Sequence, residues 1–230
     1  MKKILVLAAM LLFITGCGQK PTERLETAME ELTNVDSIFL VYKVEGSSGS
    51  YFKLDKYIDI ANENIKMIRR HGDDGVVEFE QVLYYEKDGN GYNYYLQDND
   101  EWFLFREERL SAFFENIFSF ESNFENVFTF LRGVEKDQIE VVSSDEYIIK
   151  TEDETLLDNF FPNEGDEIKP LEVRVLFDGD SIDKIMLEFN DGFETLTYTW
   201  SVASINDYTF ELPSEVRESA KEFIYENGGA

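Results

Sequence analysis

One cysteine and one histidine carry most of the distinctive side-chain chemistry available to this 230-residue chain. His71 stands alone beside a Gly-Asp-Asp-Gly turn, where it is expected to be exposed. Ser-His-Asp hydrolysis or an imidazole-rich metal site would have to rest on that one ring. Gly46-Ser47-Ser48-Gly49 lacks the G-x-S-x-G spacing of a nucleophile elbow, and no Gly-Lys-Ser/Thr phosphate loop is present. Carboxylate pairs for glycoside hydrolysis are compatible with 48 acidic residues, and for that same reason no pair stands out. Hard cations favour oxygen clusters. Asp178, Asp180 and Asp183 crowd one turn, and Glu152, Asp153, Glu154, Asp158, Glu164, Asp166 and Glu167 crowd one loop region. Neither stretch has the spacing of an EF-hand loop, so both read as solvated acidic segments. The expectation is a protein with no catalytic residue, no resident metal and no cofactor.

Cys17 is placed more tellingly. Met1-Lys2-Lys3 and an apolar run over residues 4–13 lead through Ile14-Thr15-Gly16 into this lone thiol. The two lysines form a charged n-region. The apolar run is an h-region too short to cross a bilayer as a stable helix. The pattern resembles a bacterial lipoprotein signal with its lipobox. The resemblance implies that the Cys17 thiol receives a diacylglyceryl group and that residues 1–16 are removed as a signal peptide. An ordinary secretory signal with an incidental cysteine is the alternative. Two or more acyl chains, at about 0.8 kcal/mol per buried methylene, hold a protein firmly on a membrane. With Cys17 acylated, no other thiol remains for disulfides, zinc–thiolate sites or cysteine nucleophiles. The expected location is the extracytoplasmic face of the cell membrane, lipid-anchored. Gly18 follows Cys17 in place of the aspartate that resembles an inner-membrane retention signal in two-membrane bacteria.

Charge narrows the partners. The formal net charge is −27, and loss of Lys2 and Lys3 with the leader makes the remainder more acidic. Such a surface gives nucleic acid no basic footprint and repels anionic headgroups, an effect screened beyond about 8 Å at physiological salt. Hydrophobic residues make up 43% of the chain and charged residues 30%, which places it among folded proteins and not disordered ones. Aromatics reach 15%, with 20 Phe and 12 Tyr, enough to ask what they pack against.

The hydrophobic period supplies the elements. Residues 17–21 are expected to form a short tether, in which the four residues after Cys17 reach about 14 Å at full extension. Residues 22–230 form one domain. Thr22 is expected to cap a helix to about Val35, with Leu25, Ala28, Met29, Leu32 and Val35 on one face. Strand patterns follow at 38–44, 52–60, 65–70, 76–87, 92–97 and 102–106. In the second, Phe52, Leu54, Ile58 and Ile60 share a face, with Lys53, Asp55 and Asp59 opposite. Gly46-Ser47-Ser48-Gly49, Gly72-Asp73-Asp74-Gly75 and Asp88-Gly89-Asn90-Gly91 separate them as hairpin turns. The period then turns helical. Leu110, Phe113, Phe114, Ile117 and Phe118 form one run; Ser122 with Glu125 reads as a capping box for a second, through Phe124, Val127, Phe128 and Leu131 to Gly133. Strands return at 138–143 and 147–151, and a short acidic helix is expected at 153–161. Three more strands follow at 171–177, 182–189 and 193–201, turning at Asp178-Gly179-Asp180 and Asp191-Gly192. Pro213 opens a closing helix through Val216, Ala220 and Phe223.

The fold expected is α+β: a strongly curved antiparallel sheet of about eleven strands, an incomplete barrel, with helices covering its concave face. This element order resembles the LolA-like superfamily of lipoprotein and lipid carriers. The ending Ile205-Asn206-Asp207-Tyr208 to Leu212-Pro213-Ser214-Glu215-Val216 is similar to the "IN…LP.EV" close of such lipoproteins. The resemblance implies acyl chains held between sheet and helices, with the membrane and a lipid or other hydrophobic ligand as partners, and no catalysis. The candidate cavity wall is Phe113, Phe114, Ile117, Phe118, Phe124, Val127 and Phe128, joined by Phe120 and Phe130 from off that stripe. A helix apolar on both sides touches something besides the sheet. The same Phe spacing equally fits a filled core, and hence a structural or protein-interaction lipoprotein with no ligand.

Overall fold

A computed structural model of the protein describes residues 20–107, 125–152, 171–190 and 193–223. The expected signal peptide, Cys17, the helix expected from Leu110 to Phe118, the acidic helix expected at 153–161 and the turn expected at Asp191-Gly192 lie outside these residues. Helix α1 (Pro21–Thr33) leads into strands β1 (Ser37–Gly46), β2 (Ser50–Asp59), β3 (Asn64–Asp73), β4 (Val76–Asp88), β5 (Gly91–Asp98) and β6 (Glu101–Glu107). Helix α2 (Glu125–Gly133) and a 3-10 turn (Lys136–Gln138) precede β7 (Ile139–Ser143) and β8 (Glu146–Thr151). Then come β9 (Leu171–Asp178), β10 (Ser181–Asn190), β11 (Thr195–Ile205), α3 (Ser214–Ser219) and β12 (Lys221–Glu222).

The protein is mostly β. Its strands form one open, curved, mixed sheet of twelve in the order β12-β6-β5-β4-β3-β2-β1-β11-β10-β9-β8-β7. Two meanders, β1–β6 and β7–β11, join where β1 pairs with β11. Eleven strands pair antiparallel, as alternation and hairpin turns lead one to expect. The twelfth corrects that expectation. The closing helix stops at Ser219, and Lys221 and Glu222 run parallel to Phe103 and Leu104 of β6. Phe223, assigned to the helix by its spacing, instead donates its N–H to the Leu104 carbonyl at 2.8 Å. An edge strand with unpaired backbone groups gains more from this pairing than a short exposed helix gains from another turn. At the other terminus Lys20 is the N-cap and Pro21 opens α1, so Thr22 is already helical.

Register sorts the side chains. Across six strands Ile38 stands opposite Ile58, then Ile65, Tyr85, Tyr94 and Phe105 in turn. This row belongs to the apolar face. The adjacent row, Phe39, Tyr57, Lys66, Tyr84, Tyr95 and Leu104, belongs to the opposite face. The main core lies on the apolar face. Leu25, Ala28, Met29 and Leu32 of α1 and Val127, Phe128, Phe130 and Leu131 of α2 join Ile38, Ile58, Val173, Ile185 and Leu187 in one buried cluster.

α1 is about 20 Å long and can span about four strands. It starts where Arg24 donates to the Ser144 and Gly179 carbonyls, and ends near the Asp36–Ser37 entry to β1. It therefore crosses the end of the sheet that holds the β7–β8, β9–β10 and β2–β3 turns, here called the proximal end.

A second, smaller core lies on the opposite face. There Tyr84, Tyr95, Leu104 and Val216 are buried, with Trp102, Phe210 and Leu212 packed against them. Residues 206–220 form a strap across β1–β6. Asn206, at φ 55°, accepts the backbone N–H of Asp36 at 2.7 Å and of Ser37 at 3.2 Å through its side-chain oxygen. Tyr208 lies 5.3 Å from the Tyr57 ring. The "IN…LP.EV" residues thus have a local physical role as the clasp and cover of this face.

Candidate functional site

Along the apolar face, cover changes from one end to the other. At the proximal end Ile38, Leu40, Ile58 and Ile65 are fully buried in the cluster they share with α1 and α2 residues. Towards the distal end, which holds the β1–β2 and β3–β4 turns, Tyr42, Val44, Phe52, Leu54, Met67 and Leu83 are only half-buried. The register keeps them on the same side: Tyr42 faces Leu54, Val44 faces Phe52, and Met67 faces Leu83. Their rings form a connected band. Tyr42 is 5.5 Å from Trp200 and 6.0 Å from Phe52, and Tyr198 stacks along Trp200 at 6.1 Å. Burial pushes the Tyr42 hydroxyl up to about 12, with Tyr198 adding to it. At the tip His71 stacks on Phe79 at 4.9 Å, and Val76 and Val77 are exposed. Phe193, before β11, is 97% exposed.

Of the residues expected to wall a cavity, Phe113, Phe114, Ile117, Phe118, Phe120 and Phe124 lie outside the described residues, as does Cys17. Val127, Phe128 and Phe130 are all but completely buried in the main core. Thr129 between them is exposed. At roughly 100° per residue, positions 127, 128, 130 and 131 span an arc of about 160°. Phe130 therefore flanks the stripe formed by Val127, Phe128 and Leu131; it does not oppose it.

Lys56 breaks the apolar face. It faces Leu40 and Met67 across the sheet, with Leu54 and Ile58 before and after it on the same side of β2. The only other charge among its sheet neighbours is Arg69, diagonal to it, exposed and lying 5.4 Å over the Phe52 ring. Removal from water pulls the Lys56 ammonium down to about 8. Sequence reasoning passed over this residue, although the signal was there. In the alternation Phe52, Leu54, Ile58, Ile60, position 56 is the one that is not apolar.

The opposite face handles charge differently. Asp55, next along β2, is buried, yet Arg70 Nη1 lies 2.6 Å from its Oδ2 and Lys53 Nζ 3.0 Å from its Oδ1. Two polar recesses open on this side. One, of about 490 Å³, lies between strap and sheet against Lys66, Tyr84, Tyr208 and Glu211. Lys66 Nζ there is 5.6 Å from the Tyr57 ring and 5.7 Å from the Tyr84 ring. Burial pushes the Tyr208 hydroxyl well above its ordinary value. The other, of about 580 Å³, lies at the distal turns against Lys43, Tyr51, Lys53 and Arg70.

Among the described residues no three acidic, histidine or cysteine side chains gather as a metal-binding group. Asp178 and Asp180 are exposed on the β9–β10 turn and Asp183 is half-buried on β10; Glu152 is exposed. No helix among the described residues is long and apolar enough to cross a membrane. Compared with known proteins, the chain matches no protein-family model and no curated protein sequence.

Proposed function

We propose that the protein is an acylated lipoprotein, held through Cys17 on the extracytoplasmic face of the cell membrane, with a LolA-like domain that binds the hydrocarbon of a hydrophobic ligand without catalysis. The observation that carries this reading is the change of cover along one face of the sheet. Its proximal half is buried in the core it shares with α1 and α2, while its distal half keeps an aromatic and aliphatic band half-buried. Continuous apolar surface of this kind is where ligands bind, at about 25 cal/mol for each Å² withdrawn from water. In this reading the helices cover the concave side of the sheet, and the Phe-rich segment at 113–124 completes the wall. The tether is short, so the proximal end, where α1 begins, faces the membrane and the distal end faces away.

A second reading, a structural or protein-interaction lipoprotein with a filled core, is favoured by the complete burial of Phe128 and Phe130.

The test uses the full chain carrying Cys17→Ser, so that no attached acyl group confuses the result, purified without detergent. Native mass spectrometry is expected to show discrete lipid adducts that organic extraction removes and an added fluorescent fatty acid replaces. An apo mass with no uptake favours the filled-core reading. In cell fractionation, unchanged Cys17 is expected in the membrane fraction and Cys17→Ser in the soluble one; equal distribution would sink the anchor.

A further inference from the structure

The recess between strap and sheet carries the inference. It measures about 490 Å³ and is lined by Lys66 and Tyr84 from the sheet and by Tyr208, Glu211 and Glu215 from the strap. Spaces of this size hold small molecules. Among the described residues Lys66 makes no ion pair and no hydrogen bond; its ammonium lies 5.6 Å from the Tyr57 ring centre and 5.7 Å from that of Tyr84. The carboxylates of Glu211 and Glu215 are exposed and make none either. Other charges on this face do pair: Arg217 meets Glu86, and Arg70 meets Asp55 and Glu80. Glu215 stands close to the Tyr84 hydroxyl, whose pKa is raised first by burial and then by that carboxylate. Tyr84 thus has a cation over its face and an anion towards its hydroxyl, and the two do not meet. The Tyr208 ring, 5.3 Å from Tyr57, adds a third phenol to the same space.

We propose that this recess binds a free α-amino acid as its zwitterion, the carboxylate on the Lys66 ammonium, the amino group towards Glu211 and Glu215, and an aromatic side chain against Tyr84 and Tyr208. The site lies on the opposite face from the hydrocarbon band and stands or falls separately from the ligand proposed above. The charges select the occupant. A lone anion gains Lys66 but is opposed by two carboxylates and by a chain of net charge −27. A lone cation gains those carboxylates but is repelled by Lys66. A zwitterion meets both signs and brings no net charge into an aromatic-lined space. The two rings hold the Lys66 ammonium in place by cation–π attraction and accept none of its three N–H donors as a carboxylate would. The phenol faces favour an aromatic side chain over an aliphatic one, since ring pairs gain beyond the area they bury.

The test is calorimetric titration at pH 7 of the full chain carrying Cys17→Ser, with L-phenylalanine, 3-phenylpropanoate and phenethylamine as probes. The last two each keep one charge of phenylalanine. Loss of one charge-assisted contact predicts that each binds roughly tenfold more weakly than phenylalanine. Lys66→Met keeps hydrocarbon over the rings; it is expected to lower phenylalanine affinity roughly tenfold and to leave phenethylamine bound no more weakly. Lys66→Arg is expected to retain most of the affinity. Glu211→Gln combined with Glu215→Gln is expected to weaken phenylalanine by a similar factor and to leave phenylpropanoate bound no more weakly. The retained single-charge probe shows that the recess of each variant is still folded. Phenylpropanoate binding as tightly as phenylalanine overturns the zwitterion in favour of an anion, and phenethylamine doing so overturns it in favour of a cation. Phenylalanine affinity that survives Lys66→Met overturns the role of Lys66. No binding of phenylalanine overturns the site and leaves the hydrocarbon-binding reading untouched.

Discussion

Asp55 and Lys56 are consecutive residues of β2, and each takes a charge into the protein on opposite faces of the same sheet. On the polar face Asp55 meets two cations, Arg70 at 2.6 Å and Lys53 at 3.0 Å, and Arg70 reaches on to Glu80 at 2.5 Å. On the apolar face Lys56 has hydrocarbon on both flanking strands and on both sides along its own. The contrast separates two surroundings for a charge: a carboxylate met by two cations within the sheet, whose pair costs much to break, and an ammonium with apolar strand neighbours whose proton affinity is lowered by its removal from water. The covers differ in the same sense. The strap on the polar face leaves a recess lined by Lys66, Glu211 and Glu215, while α1 and α2 bring Leu, Met and Phe into the core of the proximal apolar face.

The largest effect expected from probing this contrast comes from Asp55→Ala. It should lower unfolding free energy by about 2–3 kcal/mol in urea titrations, below the upper range for a broken buried pair because Arg70 keeps Glu80. Asn206→Ala tests the clasp of the strap. It loses two backbone contacts and places alanine at φ 55°, so a loss of about 1–2 kcal/mol is expected by the same measurement. Asn206→Gly, which accepts that φ, should lose less.

Lys56→Met probes the apolar face through its pH dependence, read against its stability near pH 7. There Lys56 is protonated whether folded or unfolded, and the cost of burying its charge is fully present. As pH rises from about 8 towards 10.5 the folded state sheds the proton before the unfolded chain does, so the native protein recovers stability. The stability of Lys56→Met relative to the native chain should therefore fall across that window. A relative stability that grows with pH would show that the ammonium is not disfavoured by its surroundings.

These faces were unevenly legible in the sequence. Strict alternation and Gly- or Asp-rich turns located β1–β6 and β9–β11 to within a few residues, because hairpin chemistry is local. β12 was hidden. Two residues carry no period, and what selects strand over helix at Lys221 is the open edge of β6, which no local pattern encodes. The strap gave an ending motif but not its place, since its cover of Tyr84, Tyr95 and Leu104 depends on pairing between distant strands. Val127, Phe128 and Phe130 were found as apolar positions. Their complete burial follows from the packing of α2 against α1 and the sheet, which spacing alone leaves open. Lys56 was visible as an interruption in an apolar row, but the weight of that interruption rests on Leu40 and Met67, supplied by neighbouring strands.

The chain's two tryptophans stand on opposite faces: Trp200 in the half-open apolar band and Trp102 in the small core beneath the strap. Each can be read alone in the Trp102→Phe or Trp200→Phe variant of the Cys17→Ser chain, titrated with a fatty acid brominated along its tail. If hydrocarbon lies on the apolar face, saturable quenching appears for Trp200 and is absent for Trp102. Quenching of Trp102 alone, or of neither, contradicts the account.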